Sequence, residues 1–237
     1  MDRIPKIYVI NLERRKDRLE SVREELTYLG IWDKAERLEA SIIHAHGDGS
    51  AGIADSYARC LQKAMDEDLE YVMVLQDDCK FLFNRERLDA EISKFLDNAP
   101  SDWAGVWIGS LYRFYNNVPE LNFERPCWLV HDTAVIYRKR AYKAFIDYYT
   151  MCRDKYIETG RSEYNIDQLV NNRETVPFEE RDNVYILKEK LATQADNYSD
   201  RTFENMWGGS YVELFHTAAE RHKRVESEQK EHASEHV

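Results

Sequence analysis

Short apolar segments alternate along this chain with longer segments in which apolar residues recur at helical spacing. The first apolar run, KIYVINL at residues 6–12, precedes a helical pattern that ends at Gly30. A second helical pattern, from Ala54 to Met65, leads into the apolar run YVMVL at residues 71–75. Strands that alternate with helices are typical of a parallel sheet. We therefore predict an α/β fold with a mainly parallel central sheet.

The rest of the chain continues this alternation until the apolar periodicity stops. Apolar patterns predict an extended segment around Leu38, strands at residues 105–109, 128–138 and 183–187, a helix from Lys139 to Tyr156 and a short helix from Ile166 to Val170. Residues 110–127 mix aromatics, Asn and two prolines, as a long loop does. The last residues are highly charged. We expect one domain at residues 1–215 and a charged, helical or disordered tail at residues 216–237.

Composition excludes several classes of function. The formal net charge of −11 argues against general nucleic-acid binding or attraction to an anionic membrane. No apolar run approaches the roughly 20 residues of a transmembrane segment, and no signal-peptide pattern opens the chain, so we expect a cytoplasmic protein. The 4 cysteines form no CxxC pair, which disfavours a zinc knuckle or a disulfide framework.

Two adjacent carboxylates, Asp77 and Asp78, follow the apolar run at residues 71–75. Ligands of open parallel sheets bind beyond the carboxyl ends of the strands, which is where these acids fall. Oxygen ligands suit Mg²⁺ or Mn²⁺, and such ions keep positions open for phosphate oxygens. The alternative is that the two acids only begin a turn.

A basic cluster follows the first predicted strand. Asn11 ends that strand, and Arg14, Arg15 and Arg18 crowd the start of the next helix. Basic side chains there oppose the helix dipole, so a bound anion such as a nucleotide diphosphate would explain them. A solvated surface, with nearby acids balancing the arginines, is the alternative.

A third short phrase, GIADSYARC, runs from a glycine-marked loop into the second helical pattern. We place Asp55 and Ser56 near the start of that helix, where such residues are usually caps. Their meaning depends on the motifs around them.

In their order along the chain, these motifs resemble glycosyltransferase family 25, the lipopolysaccharide and collagen galactosyltransferase-like group. That family has INL-x-x-R-x-x-R, then G-x-x-x-S-H before a helix, then a strand ending in L-E-D-D. The corresponding text here is VINLERRKDRL, GIADSYARC and VLQDDC, followed by DWAGVWIG, HDTAVIYRKRAYKAF, NIDQLV and LATQADNYSD. The resemblance covers about residues 5–202.

The resemblance implies a single GT-A (Rossmann-like) domain that binds a nucleotide sugar. It implies a metal-dependent glycosyltransferase that moves a sugar from a nucleotide diphosphate sugar to a glycan or other hydroxyl acceptor with inversion. We expect the donor to be a UDP-sugar. The cofactor would be Mn²⁺ or Mg²⁺. Asp78 would be the direct metal ligand together with Asp77, and a ligand near the chain end would be His216 or Gln194. The residues expected to bind the donor are Asn11, Arg14, Arg18, Asp55, Ser56, Gln76 and Asp77.

An inverting transfer needs a base that removes the proton of the acceptor hydroxyl. Our candidate is Asp167, because GT-A enzymes commonly place an acid at a helix start after the strand that resembles HDTAVIY. The other reading of Asp167 is an acid that stabilises a helix dipole. Asp132 is the reserve candidate for the base.

Two residues depart from the family pattern and keep other functions open. The family has His where this chain has Tyr57, and Glu where it has Gln76. These departures put the donor sugar in question, and they would also suit a weakly active or inactive module that binds sugar nucleotides. A metal-dependent nucleotidyltransferase or phosphodiesterase is the other alternative, since it would use the same paired acids.

Overall fold

The computed structural model of the chain describes residues 1–114, 119–195, 198–199 and 204–205. The helices are α1 (Lys16–Tyr28), α2 (Ser50–Asp66), α3 (Arg85–Asn98) and α4 (Tyr142–Thr159). The strands are β1 (Ile7–Asn11), β2 (Ala35–Glu39), β3 (Tyr71–Gln76), β4 (Cys79–Phe81), β5 (Gly105–Trp107), β6 (Leu111–Phe114), β7 (Phe123–Glu124), β8 (Pro126–Val130), β9 (Ala134–Arg138), β10 (Val184–Leu187), β11 (Ala192–Gln194), β12 (Tyr198–Ser199) and β13 (Glu204–Asn205). Short 3-10 helices lie at Trp32–Lys34, Lys139–Ala141, Ser162–Tyr164, Ile166–Gln168 and Arg181–Asn183.

A central sheet of 7 strands, in the order β2-β1-β3-β9-β5-β10-β7, organises the fold. Strand β1 is parallel to β2 and β3, and β5 is parallel to β10. Strand β9 lies antiparallel between β3 and β5, and β7 is antiparallel to β10. Strands β1, β2, β3, β5 and β10 therefore share one direction. This confirms the predicted α/β fold with a mainly parallel sheet.

The sheet has apolar cores on both faces, and β3 shows why. Its Val72 and Val74 side chains pack in the core that contains residues of α2 and α4. The alternate residues Met73 and Leu75 pack in the opposite core, with residues of α1 and α3. Successive side chains of a strand point to opposite faces, so a strand covered on both sides must be apolar throughout. The uninterrupted run YVMVL reflects this double burial.

One helix was missing from the sequence-based prediction. Helix α3 buries Leu88, Ile92 and Phe95 on one face, and the side chain of Asn84 caps its start by accepting a hydrogen bond from the Arg87 N–H. The apolar spacing and the cap are both visible in the sequence. The residues between Leu88, Ile92 and Phe95 are mostly charged or polar, so the apolar face of this helix was not recognised.

Three predicted boundaries were wrong. The strand expected at residues 128–138 is two strands, because His131 adopts a left-handed backbone (φ 70°) that ends β8 before β9 begins. The loop expected at residues 110–127 contains β6 and β7, and β6 pairs with β8. The helix expected at Ile166 is a single 3-10 turn.

The four cysteines form no disulfide bond, and Cys60, Cys79 and Cys152 are buried as free thiols.

Within the described ranges, no helix combines the length and the apolar character needed to cross a membrane. The expected tail at residues 216–237 lies outside the described residues and stays a prediction.

Phe95 offers a test of the α3 core. Its ring contacts the rings of Trp103, Phe123 and Tyr185 at centroid distances of 5.1, 5.1 and 6.2 Å. Phe95→Ala should lower the free energy of unfolding by about 3 to 5 kcal/mol, because it leaves a cavity among these rings. Urea denaturation measures the change. The control Lys94→Ala, on the exposed face of the same helix, should change it by less than about 0.5 kcal/mol. Equal losses in both variants would contradict the packing described.

Candidate active site

A cavity of about 280 Å³ opens at the carboxyl ends of β1 and β3. This is the edge at which open α/β sheets bind ligands. Segments from both halves of the described chain meet around it. The residues that line it are Ile10, Leu12, Arg14, Arg18, Ala40, Ser41, Ile42, Ile43, His44, Gly49, Ser50, Gly52, Ile53, Ser56, Tyr57, Gln76, Asp77, Asp78, His131, Asp132, Asn165, Ile166, Asp167 and Gln194.

Asp77 is held by two side chains from the first strand and helix. Asn11 donates a hydrogen bond from Nδ2 to Asp77 Oδ2 at 2.7 Å, and Arg18 donates from Nη1 to Asp77 Oδ1 at 3.1 Å. Arg37 in turn donates to Asn11 Oδ1 at 3.0 Å and fixes the amide. Burial and the neighbouring charge of Asp78 raise the pKa of Asp77 to about 6, against the opposing effect of Arg18. Asn11, which does not line the cavity, therefore acts on it through Asp77.

Asp78 contacts Gln194, near the end of the described chain, and lies beside the same Arg18 guanidinium as Asp77. Gln194 donates from Nε2 to Asp78 Oδ2 at 2.9 Å, and Arg18 Nη1 lies 3.8 Å from the same oxygen. The pairing of β11 with β4 sets Gln194 opposite Cys79 and so brings it to this acid. The other oxygen, Asp78 Oδ1, is buried and has no hydrogen-bond partner among the described residues. That oxygen is suited to a ligand that carries positive charge.

The arginines after β1 divide between the cavity and the surface. Arg14 and Arg18 line the cavity, whereas Arg15 pairs with Asp17 through Nη2 at 2.8 Å. Helix α1 begins at Lys16 without a side-chain cap, and it carries Arg18 in its first turn. Two of the three arginines in the predicted basic cluster therefore lie at the cavity wall. The Arg14 side chain is exposed there, and the Arg18 side chain is half-buried.

Asp55 and Ser56 lie in the second turn of α2, because this helix begins at Ser50, earlier than predicted. Ser56 lines the cavity, where its Oγ donates to the Gly52 carbonyl at 2.7 Å and accepts from the Ser41 N–H at 2.9 Å. Asp55 does not line the cavity. Its carboxylate accepts a hydrogen bond from the Ser41 hydroxyl and pairs with Arg153 Nη1 of α4 at 2.7 Å. Both side chains fix the segment at Ser41 against α2.

Gly52 allows that segment to approach α2 closely. A Cβ atom at Gly52 would lie 2.4 Å from the Ser41 carbonyl oxygen, well inside van der Waals contact. The residues brought in by this approach, Ser41 to His44, form one wall of the cavity. Sequence reasoning missed this wall, because a polar loop has no periodicity. Its only signal was the glycine inside a helical pattern.

Asp132 is a buried residue of the cavity lining, where Tyr57 and Trp107 contact it. Trp107 donates from Nε1 to Asp132 Oδ1 at 2.5 Å, and the Tyr57 hydroxyl donates to the Asp132 backbone carbonyl. The Gln76 backbone N–H donates to the Thr133 carbonyl at 3.0 Å. The segment between β8 and β9 is therefore fastened to both α2 and β3.

Asp167 faces the cavity from the opposite side, on the 3-10 turn Ile166–Gln168. It is partly exposed and accepts a hydrogen bond from Gln168 Nε2 at 3.2 Å. Arg181 holds the following residues by donating to the Leu169 carbonyl at 2.7 Å and the Arg173 carbonyl at 3.1 Å. The buried guanidinium thus anchors the segment that carries Asp167.

The cavity lining brings together the adjacent acids Asp77 and Asp78 and both candidates for the base, Asp167 and Asp132. The other predicted site residues that line it are Arg14, Arg18, Ser56, Gln76 and Gln194. His216, a predicted metal ligand, lies outside the described residues. Within the described residues, no group of three or more His, Cys, Asp or Glu side chains could hold a metal ion.

No protein-family model matches the chain, and no curated protein matches its sequence. Solved structures with a similar arrangement include glycosyltransferases and nucleotidyltransferases. One is a glycosyltransferase involved in glycosylation of the major capsid of PBCV-1 (14% identity, 94% of this chain, 100% of that chain, TM-score 0.47). Another is a cytidylyltransferase from Leptospira borgpetersenii (14% identity, 96% of this chain, 96% of that chain, TM-score 0.39). A third is a Drosophila galactosyltransferase mutant in complex with manganese, UDP-Gal and xylobiose (15% identity, 65% of this chain, 63% of that chain, TM-score 0.32).

Gly52→Ala tests the close approach that shapes the cavity wall. Helix propensity alone would make this change stabilising by about 1 kcal/mol. We expect the opposite sign, a lower melting temperature, because the added Cβ would displace the Ser41 backbone. Differential scanning calorimetry measures it. The control Gln62→Ala, at an exposed position of the same helix, should leave the melting temperature nearly unchanged. A higher melting temperature for Gly52→Ala would contradict the close contact between the Ser41 backbone and α2.

Proposed function

We propose that the protein is a metal-dependent glycosyltransferase of the GT-A type, similar to glycosyltransferase family 25, that uses a nucleotide diphosphate sugar. The observation that carries the proposal is the combination of Asp77, Asp78, Arg14 and Arg18 around one cavity at the carboxyl ends of β1 and β3. Two acids suit a divalent cation, and two guanidinium groups suit phosphates. A nucleotide diphosphate sugar presents both partners.

The donor would bind with its diphosphate between the arginines and the acids. Arg18 already lies 3.1 Å from Asp77 and 3.8 Å from Asp78, so it offsets one of the two negative charges there without a ligand. Arg14 lies on the exposed rim of the cavity and would meet the donor first. A UDP-sugar is the donor that the sequence resemblance favours.

Asp78 is the acid whose free oxygen fits Mg²⁺ or Mn²⁺, whereas both oxygens of Asp77 already accept hydrogen bonds, from Asn11 and Arg18. The buried Asp78 Oδ1 lacks a hydrogen-bond partner among the described residues, and Gln194 holds the other oxygen of the same carboxylate in place. Ions of this kind commonly take one or two carboxylates from the protein and fill the other positions with water and phosphate oxygens. When bound, the ion supplies positive charge where the leaving diphosphate gains negative charge.

Asp167 is the better of the two candidates for the general base. Its carboxylate is partly exposed on the cavity wall, where an acceptor hydroxyl could reach it. Asp132 is 3% exposed, and one of its oxygens accepts a hydrogen bond from Trp107. In the mechanism we propose, Asp167 takes the proton of the acceptor hydroxyl while that oxygen bonds to the sugar carbon from the face opposite the diphosphate. The bond from this carbon to the diphosphate oxygen breaks at the same time, the nucleoside diphosphate leaves with the electron pair, and the carbon is inverted.

The products of the reaction separate this proposal from its rivals. A glycosyltransferase releases nucleoside diphosphate only when an acceptor is present. A nucleotidyltransferase releases pyrophosphate from a nucleoside triphosphate, and an inactive module binds the donor and releases neither. An assay of UDP and pyrophosphate release, with Mn²⁺ and a panel of glycan acceptors, therefore tests the proposal directly.

Asp78→Asn should weaken donor binding in the presence of Mn²⁺ and should lower turnover as well. The substitution keeps the size of the side chain and removes a charged oxygen ligand. We expect a loss of at least about tenfold in donor affinity, since even losing a partner of a metal ligand costs about 10- to 100-fold. Isothermal titration calorimetry with UDP, with and without Mn²⁺, measures it. Full affinity and full activity in this variant would remove the metal site from the proposal.

Asp167→Asn should leave donor affinity near normal while turnover falls by about 10² to 10⁴, as expected when a positioned base is lost. The same titration, run beside a transfer assay, measures both quantities. The matched control is Glu163→Gln, a partly exposed acid on the neighbouring turn that pairs with Arg161 at 2.8 Å and does not line the cavity. If Asp167→Asn and Asp78→Asn weaken donor binding equally, Asp167 belongs to the donor site and the base must be Asp132.

A further inference from the structure

Tyr57 and Gln76, the two residues that depart from the family pattern, contact each other although 18 residues of sequence separate them. Tyr57 is fully buried in α2, and Gln76 is the last residue of β3. Gln76 Nε2 lies 3.3 Å from the Tyr57 hydroxyl, and both side chains line the cavity. The two residues that differ from the family pattern therefore form a single contact at one place in the cavity.

The direction of each hydrogen bond in this contact is fixed by chemistry. The Tyr57 hydroxyl lies against the Asp132 backbone carbonyl, which can only accept, so its single proton is donated there. Burial and the nearby Asp132 raise the pKa of Tyr57, which keeps this proton in place. The hydroxyl can then only accept from Gln76, so Nε2 of the carboxamide must face it. One N–H and the Oε1 atom of Gln76 are left for a ligand in the cavity.

We propose that Tyr57 and Gln76 form a matched neutral pair that selects an uncharged sugar on the donor, with the Gln76 carboxamide hydrogen-bonded to the sugar hydroxyls. The proposal rests on the proposed function, since it assigns the sugar-recognising part of the same cavity. A hydroxyl both donates and accepts, and so does the free part of the carboxamide. The carboxamide can therefore donate a hydrogen bond to a sugar hydroxyl and accept one from it.

The charges beside Gln76 argue against an acidic sugar. The next two residues along the chain are Asp77 and Asp78, both buried at the cavity wall, so a sugar carboxylate placed at Gln76 would lie close to two acids. A glutamate at position 76 would add a third acid and would only accept, facing a hydroxyl whose proton is already used. Tyr57 therefore requires a donor at position 76, which Gln provides.

The first experiment compares UDP, UDP-glucose, UDP-galactose and UDP-glucuronic acid by calorimetry on the full chain with Mn²⁺. We expect the wild type to bind at least one of the two hexose donors more tightly than UDP and than UDP-glucuronic acid. Gln76→Leu should lower the affinity for that hexose donor by about tenfold, the effect of one or two lost hydrogen bonds, and should leave UDP affinity nearly unchanged. Unchanged hexose preference in Gln76→Leu would overturn the inference.

A second experiment tests the pair without any ligand. Gln76→Glu, Tyr57→His and the double variant form a double-mutant cycle, read as free energies of unfolding in urea. We expect non-additivity, with the double variant more stable than the sum of the single changes predicts, because an imidazole N–H can donate to the carboxylate. Additive effects would overturn the pairing. If the wild type binds none of the nucleotides while the cycle shows coupling, the proposed function fails and the matched pair stands as a structural contact only.

Discussion

The hydrogen-bonded ion pair between Arg18 and Asp77 is the interaction on which the site depends, because it joins α1 to the end of β3 at the cavity wall. Asn11 completes it from the end of β1 by bonding Asp77 at 2.7 Å. A buried carboxylate next to another acid is costly unless it is paired and hydrogen-bonded, and here both conditions are met. The pairing offsets only part of that cost, since burial and the charge of Asp78 still raise the pKa of Asp77 to about 6.

Around this corner, the cavity takes its shape from small residues and from backbone contacts. The wall at Ser41 to His44 reaches α2 because Gly52 has no Cβ, and the Ser56 hydroxyl then ties the two backbones together. Asp55 and Arg153 fasten the same place to α4. Residues that look in the sequence like helix caps serve to hold a cavity wall, and one of them also lines it.

The antiparallel strand β9 determines what lies at the bottom of the cavity. Its insertion between β3 and β5 brings the segment that precedes it, with Asp132, to the end of β3. That segment then meets Tyr57 from α2 and Trp107 from β5. Arg181 independently anchors the turn that carries Asp167 on the facing wall. The two acids considered for the base thus differ in burial because different elements hold them.

The α/β class could be predicted from the sequence, because short apolar segments alternate with helical patterns along the chain, and the uninterrupted run YVMVL is typical of a strand buried on both faces. The sequence also predicted that Asp77, Asp78, Arg14 and Arg18 lie at the same edge of the sheet, where they do line one cavity, because strand ends and helix starts can be read from local patterns. It did not show the wall at Ser41, the contact between Tyr57 and Gln76, or the reach of Gln194 to Asp78. These join residues far apart in the chain, and only the packing of helices on the sheet and the pairing of β11 with β4 brings them within hydrogen-bond distance.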